Sequence, residues 1–200
     1  MPPEANPERF GPTIWTIGHS NRSAQDFLAI LKAFKIEMLA DIRRYPGSRK
    51  YSHFNSDTLK EQLAENNIQY IHIAELGGRR KPRSDSKNTS WRHSAFRGYA
   101  DYMETEEFKN AIQQLQDIAT KFRTAYMCSE AVWWSCHRAL VSDFLKIQGW
   151  HVMHIMGITK ATEHPFTSAA KIIDNQLVYT EPDLFLLARN RSRCSKKVFF

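Results

Sequence analysis

Along this chain, short apolar runs suited to strands alternate with stretches whose apolar residues recur every three or four positions, as helices require. Thr13-Ile-Trp-Thr-Ile17 is β-rich and stops at Gly18. Ser23 is placed to cap a helix reaching about Phe34, with Phe27, Leu28, Ile30, Leu31 and Phe34 on its inner side. Ile36 to Ile42 reads as a second, buried strand, and Arg43 to Asn55 as a basic, aromatic loop. A helix capped by Ser56 or Asp57 runs through Glu65, followed by a third strand, Ile68 to Ile73. Gly77 to Gly98 reads as a long polar loop, and Lys81 to Arg92 within it has the composition of a disordered or induced-fit segment. Tyr99 to Glu104 predicts a helical turn, Glu106 to Phe122 a full amphipathic helix, and Ala125 to Cys128 a fourth strand. Ser135 is the expected cap of a helix ending at Gly149. Trp150 to Ile155 is a fifth strand, and Lys171 to Tyr179 a hairpin turning at Asp174-Asn175.

Strands alternating with helices predict an α/β fold: a single domain over 13–180, with a mainly parallel sheet, helices on both faces and a small C-terminal β-hairpin. Residues 1–12 read as a flexible leader and 181–200 as a basic C-terminal tail.

Composition narrows the class. Apolar residues make up 42% and charged residues 24% of the 200, which suits a globular protein with a real core. No apolar run approaches the roughly 18 residues of a membrane helix, so no membrane partner is expected. The N-terminus carries proline and acid where a signal peptide would be basic and then apolar, and a cytoplasmic location is expected. Three cysteines at irregular spacing do not form a disulfide framework. The net charge of +7 suits a phosphate-bearing partner, nucleic acid or nucleotide.

In a parallel sheet, ligands bind beyond the carboxyl ends of the strands. Those ends carry Gly18-His-Ser-Asn21, Asp41-Ile-Arg43, Glu75-Leu-Gly-Gly-Arg79, Cys128-Ser-Glu130 and His154. Nearly every strand thus delivers an ionisable group to one edge. Cys136 follows the expected cap Ser135, where free amides and the helix dipole favour a thiolate. Its plain alternative is small-residue packing, which also suits Cys128. Asp41 and Glu130 are candidate general acids or bases, each with a salt bridge as its structural alternative. His19, after a permissive glycine, can take a proton or bind phosphate. Ser20, Asn21, His137 and Arg138 stand beside these groups, and Cys194 lies apart in the tail.

The loop from Arg43 to Asn55 mixes cations, rings and amides, including Arg49, Tyr51 and Asn55. Arginine forks grip phosphate, aromatic faces stack bases, and asparagine reads a base edge. Gly77-Gly-Arg-Arg80 repeats the basic theme with Arg79 and Arg80, and Trp133 and Trp134 fall in an expected loop. There is no P-loop, no GxGxxG, no phosphatase loop and no CxxC. A metal held by Cys128, Glu130, Cys136 and His137 is chemically conceivable, but zinc-type spacing is absent, so no cofactor is expected.

At these residues the chain resembles the large prokaryotic family catalogued as domain of unknown function 488. The resemblance runs from about Thr13 to Tyr179. It rests on Thr16-Ile-Gly-His-Ser-Asn21, Asp41-Ile-Arg43 with Pro46, Phe54-Asn55 and Leu76-Gly-Gly-Arg79. Tyr99 with Met103, Cys128-Ser-Glu130, Cys136-His-Arg138 and His164-Pro165 complete it. Ala131-Val-Trp-Trp134 departs from the charged-and-proline stretch found in relatives. The resemblance implies an α/β fold and a polar site, and no function.

Three functions fit these residues. The leading expectation is an enzyme acting on nucleic acid or a nucleotide, such as base excision by a glycosylase-type hydrolysis. There Arg43, Arg49, Arg79 and Arg80 hold phosphate, Tyr51, Trp133 and Trp134 stack a base, and Asp41 or Glu130 with His19 handles the proton. The alternatives are a thiol- or metal-dependent enzyme centred on Cys136 and a non-catalytic module for an anionic ligand.

Overall fold

Both faces of the central strands are apolar, and both are covered. The computed structural model describes residues 11–181. Six strands form the sheet: β1 (Thr13–Gly18), β2 (Met38–Asp41), β3 (Gln69–His72), β4 (Thr124–Cys128), β5 (His151–Gly157) and β6 (Lys160–Glu163), in the order β3-β2-β4-β1-β5-β6. All neighbours are parallel except β5 and β6. β7 (Lys171–Ile173) and β8 (Gln176–Val178) form a separate antiparallel hairpin. Its turn residues Asp174 and Asn175 have φ of 50° and 61°, the left-handed geometry of a tight hairpin turn.

Alternate residues of each strand feed opposite cores. Trp15, Ile17, Leu39, Ala125 and Met127 pack with Phe27, Ile30 and Leu31 of α1 (Ala24–Ala33) and with Leu59 and Leu63 of α2 (Ser56–Ala64). Ile14, Ala40, Tyr126 and Val152 face α3 (Ser94–Met103), α4 (Glu106–Ala119) and α5 (Arg138–Ile147). Mutual burial of two such layers is what selects a doubly covered sheet over an open one.

The expected α/β architecture is present, and several local expectations need correction. β6 has no apolar run to announce it: it is a short polar edge that pairs antiparallel with β5. The helix expected as a turn from Tyr99 begins at Ser94, because the His93 side chain accepts from the Ala95 amide and caps it. α2 is capped in position by Asn55, not by Ser56 or Asp57. Ser135 caps nothing: Trp133–Ser135 form a 3-10 turn, and α5 starts at Arg138 after His137. Gly149, at φ 87°, does end the α5 segment in the left-handed form, two residues past its last helical turn.

The Lys81–Arg92 stretch is tied down rather than loose. Asp101 accepts from the Arg83 amide at 2.8 Å, the Ser86 hydroxyl at 2.6 Å and the Asn88 amide at 2.8 Å. No helix among the described residues is long and apolar enough to cross a membrane. Residues 1–10 of the expected leader, and 182–200 of the expected tail with Cys194, lie outside the described residues.

Candidate active site

The sheet order reverses around β4 and β1, so the chain leaves their carboxyl ends in opposite directions and opens a crevice there. Ladder bonding continues past the strands: the His19 amide donates to Cys128 O at 3.0 Å and the Ser20 amide to Ser129 O at 2.9 Å. Over this edge lies a cleft of about 960 Å³. Its lining includes His19, Ser20, Asn21, Arg43, Arg44, Tyr45, Tyr51, Gly78, Arg79, Cys128, Glu130, Cys136 and His137. Residues distant in sequence are thus brought to one place.

The floor is the pair of thiols and the His137 ring. Cys128 and Cys136 are both buried and free. His137 Nδ1 stands 3.6 Å from Cys136 Sγ and 3.9 Å from Cys128 Sγ. Its Nε2 lies 3.2 Å from the Ile42 carbonyl, which can only accept, so Nε2 carries the proton and Nδ1 the lone pair. Burial raises the Cys136 thiol, but the hydrogen bond from Cys128, the charge of Arg138 and the Arg138 amide outweigh it and bring its pKa down to about 6. The same Cys136 contact, helped by burial, pushes Cys128 up to about 12.

Arg138 lies beneath this floor, 1% exposed. It donates to Glu130 O at 2.6 Å and to the Thr16 hydroxyl at 3.2 Å, and no carboxylate among the described residues forms an ion pair with it. The loop crossing above it requires Gly18, where a Cβ would stand 1.8 Å from Glu130 O. Arg138 is therefore a strut under the cleft and not part of its lining.

The rim supplies cations and rings. Arg44 donates to Arg79 O at 3.2 Å, and the two guanidinium groups lie 5.7 and 5.9 Å from the centre of the exposed Tyr45 ring. Ser20 and Arg79 hold φ of 53° and 62°, a left-handed backbone that non-glycine residues adopt at a cost and that often marks functional sites. Glu130 is exposed on the cleft.

Several expected ligand or catalytic groups have other work. Asp41 is fully buried and outside the cleft lining. It accepts from Arg43 at 2.5 to 3.1 Å and from the Tyr70 hydroxyl at 2.9 Å. Arg43 reaches the cleft wall, but its remaining donors go to Phe54 O and His19 Nε2. His19 donates from Nδ1 to Ser20 O at 2.9 Å and stacks on Phe54, and burial lowers its pKa to about 4. It is a neutral brace for Arg43. Asn55 Oδ1 accepts from the Ser48 amide at 2.6 Å, which shapes the loop. Arg80 is stacked 3.5 Å from the Tyr102 ring and bonded to Gly77 and Glu75 carbonyls. Trp133, partly buried against the core, stacks on the buried His154 at 4.3 Å. Arg49, Trp133 and Trp134 are outside the cleft lining.

The cleft is also lined by Arg44 and Tyr45, in the basic, aromatic loop, and by His93 and Phe96 at the start of α3. Their signal was weak, because only the fold turns them inward. Behind Trp133 lies a chain of buried groups that links two histidines named above with Asp143, which no motif marks: His154 Nε2 to His164 Nδ1 at 2.9 Å, and His164 Nε2 to Asp143 Oδ1 at 3.0 Å. Asp143 also accepts from Thr167 and from the Tyr179 hydroxyl.

A family model matches residues 23–145, under the description Domain of unknown function DUF488. That span holds Arg43, Arg79, Cys128, Cys136 and His137 and stops short of His19 and His154. No curated protein and no solved structure matches the chain.

Proposed function

This chain belongs to the DUF488 family, and we propose from its own cleft that it is an enzyme acting on a nucleotide-class substrate, nucleic acid included. The observation that carries this is the meeting, in one cleft, of two arginines beside a single ring with a cluster of two buried thiols and a partly buried imidazole. Guanidinium groups favour phosphate, and ring faces favour a base. A purely structural surface has no need to collect nucleophilic or ligating groups in such a cleft.

Roles follow from position. Arg44 and Arg79 hold phosphate, Tyr45 and Tyr51 supply ring faces, and Asn21 and Ser20 offer further polar contacts in the lining. Glu130, and not Asp41, handles the proton, since it is the carboxylate on the cleft. In a cleavage such as removal of a base from its sugar, that carboxylate also faces the positive charge that develops as the bond breaks.

Titration of labelled single-stranded oligonucleotides and of nucleoside phosphates, followed by anisotropy and calorimetry, tests the reading. Affinity is expected to fall steeply with added salt. Arg79→Ala is expected to lower it roughly tenfold or more, since a charge-assisted hydrogen bond is worth about 1.5–3 kcal/mol. Binding that ignores both salt and Arg79 sinks the proposal.

A further inference from the structure

The cluster on the cleft floor has dimensions that a simple thiol–imidazole hydrogen bond does not require. One short contact would serve such a bond, yet His137 Nδ1 is shared between two sulfurs, at 3.6 and 3.9 Å. The three candidate ligand atoms all lie within 4.8 Å of one another. A tetrahedral zinc centre, with zinc–sulfur bonds of about 2.3 Å and a zinc–nitrogen bond of about 2.0 Å, places sulfur and nitrogen roughly 3.6 Å apart. The two sulfur–nitrogen edges here match that to a few tenths of an ångström.

The surroundings agree. A ligating histidine normally donates its other ring N–H to a carbonyl or carboxylate, which fixes the tautomer and aims the lone pair. His137 does so through Nε2 to Ile42 O at 3.2 Å. Space before the lone pair is kept by Gly78, where a Cβ would come within 2.8 Å of Nδ1. Cys128, Cys136 and His137 all line the cleft, so a fourth position would face its interior.

We propose that Cys128, Cys136 and His137 bind a zinc ion with its fourth coordination position turned toward the substrate. Two sulfurs and an imidazole select a borderline-soft ion over magnesium or calcium. Two thiolates cancel the charge of the ion, which leaves the buried Arg138 cation uncompensated, and this favours an anionic fourth ligand such as hydroxide or a substrate oxygen. The catalytic role of the ion rests on the cleft being the substrate site, as proposed above, while its binding does not.

The full chain, purified without chelator or metal-affinity resin, is expected to carry about one zinc per molecule by plasma mass spectrometry. Cys128→Ser and His137→Ala are expected to lose most of it. Because these variants could also misfold, the wild-type chain is stripped and titrated with cobalt. Thiolate-to-cobalt charge transfer in the near ultraviolet, with the intense visible bands of tetrahedral cobalt, is the expected signature, and Gly78→Ala is expected to weaken it. Substoichiometric zinc together with no charge-transfer band on cobalt addition overturns the site. The two proposals separate cleanly. Nucleotide binding that survives in a protein shown to take no metal leaves the cleft reading standing, and stoichiometric metal in a protein that binds no nucleotide leaves only the ion.

Discussion

Asp41 and Arg43 show how one residue's meaning depends on where its neighbours land. Both sit at a strand end where acids and cations attract attention, and both are legible there. What two positions in a sequence do not reveal is that the side chains turn toward each other, with the Tyr70 hydroxyl and Phe54 carbonyl completing the set. Removing one member of a buried pair leaves the other charged and unpaired. Asp41→Ala is therefore expected to cost about 3–5 kcal/mol in urea unfolding. Glu130→Gln, exposed on the cleft, is expected to leave the unfolding midpoint unchanged and to abolish turnover of any substrate found. A large stability loss at Glu130, with none at Asp41, reverses these assignments. Trp133 carries the same lesson: whether an indole in a loop faces solvent depends on His154, a partner on another strand that no local pattern discloses.

At the scale of elements, the segments that were legible are those with a strong period. β1, β2 and β4 are apolar runs buried almost throughout, α1 and α4 bury helically spaced apolar residues, and these patterns suffice. β6 and the start of α3 did not show, because a polar edge strand and a helix capped by histidine bury too little apolar surface to leave a mark. The 81–92 stretch failed for a different reason: its composition is that of a free loop, but one carboxylate from α3 gathers three of its donors. Asp101→Ala is expected to release it, read as faster hydrogen exchange confined to residues 83–90 and new protease cleavage there. Exchange rates unchanged in that stretch would mean the loop is held by something else.

Across the whole molecule, the buried His154 couples stability to acid. Burial, followed by the neighbouring His164 and Arg138, pushes its pKa from 6.5 to about 2. The unfolded chain accepts a proton at His154 below pH 6.5, and the folded chain refuses it until about pH 2. Stability therefore falls as the pH drops through that window, by roughly tenfold in the folding equilibrium for each unit. Urea midpoints measured between pH 7 and pH 5 should decline, and His154→Gln should flatten the decline. A flat wild-type profile refutes the coupling.

The groups on the cleft floor come from the end of β4 and the entry to α5, while the cationic rim comes from residues 44, 45 and 79. These belong to separate stretches of polypeptide that meet only in the folded state. Substitutions at 44, 45 or 79 can thus change the charge and ring faces of the rim while Cys128, Cys136 and His137 stay in place. Under the proposed function, ligand preference and reactivity are separately adjustable properties of one cleft.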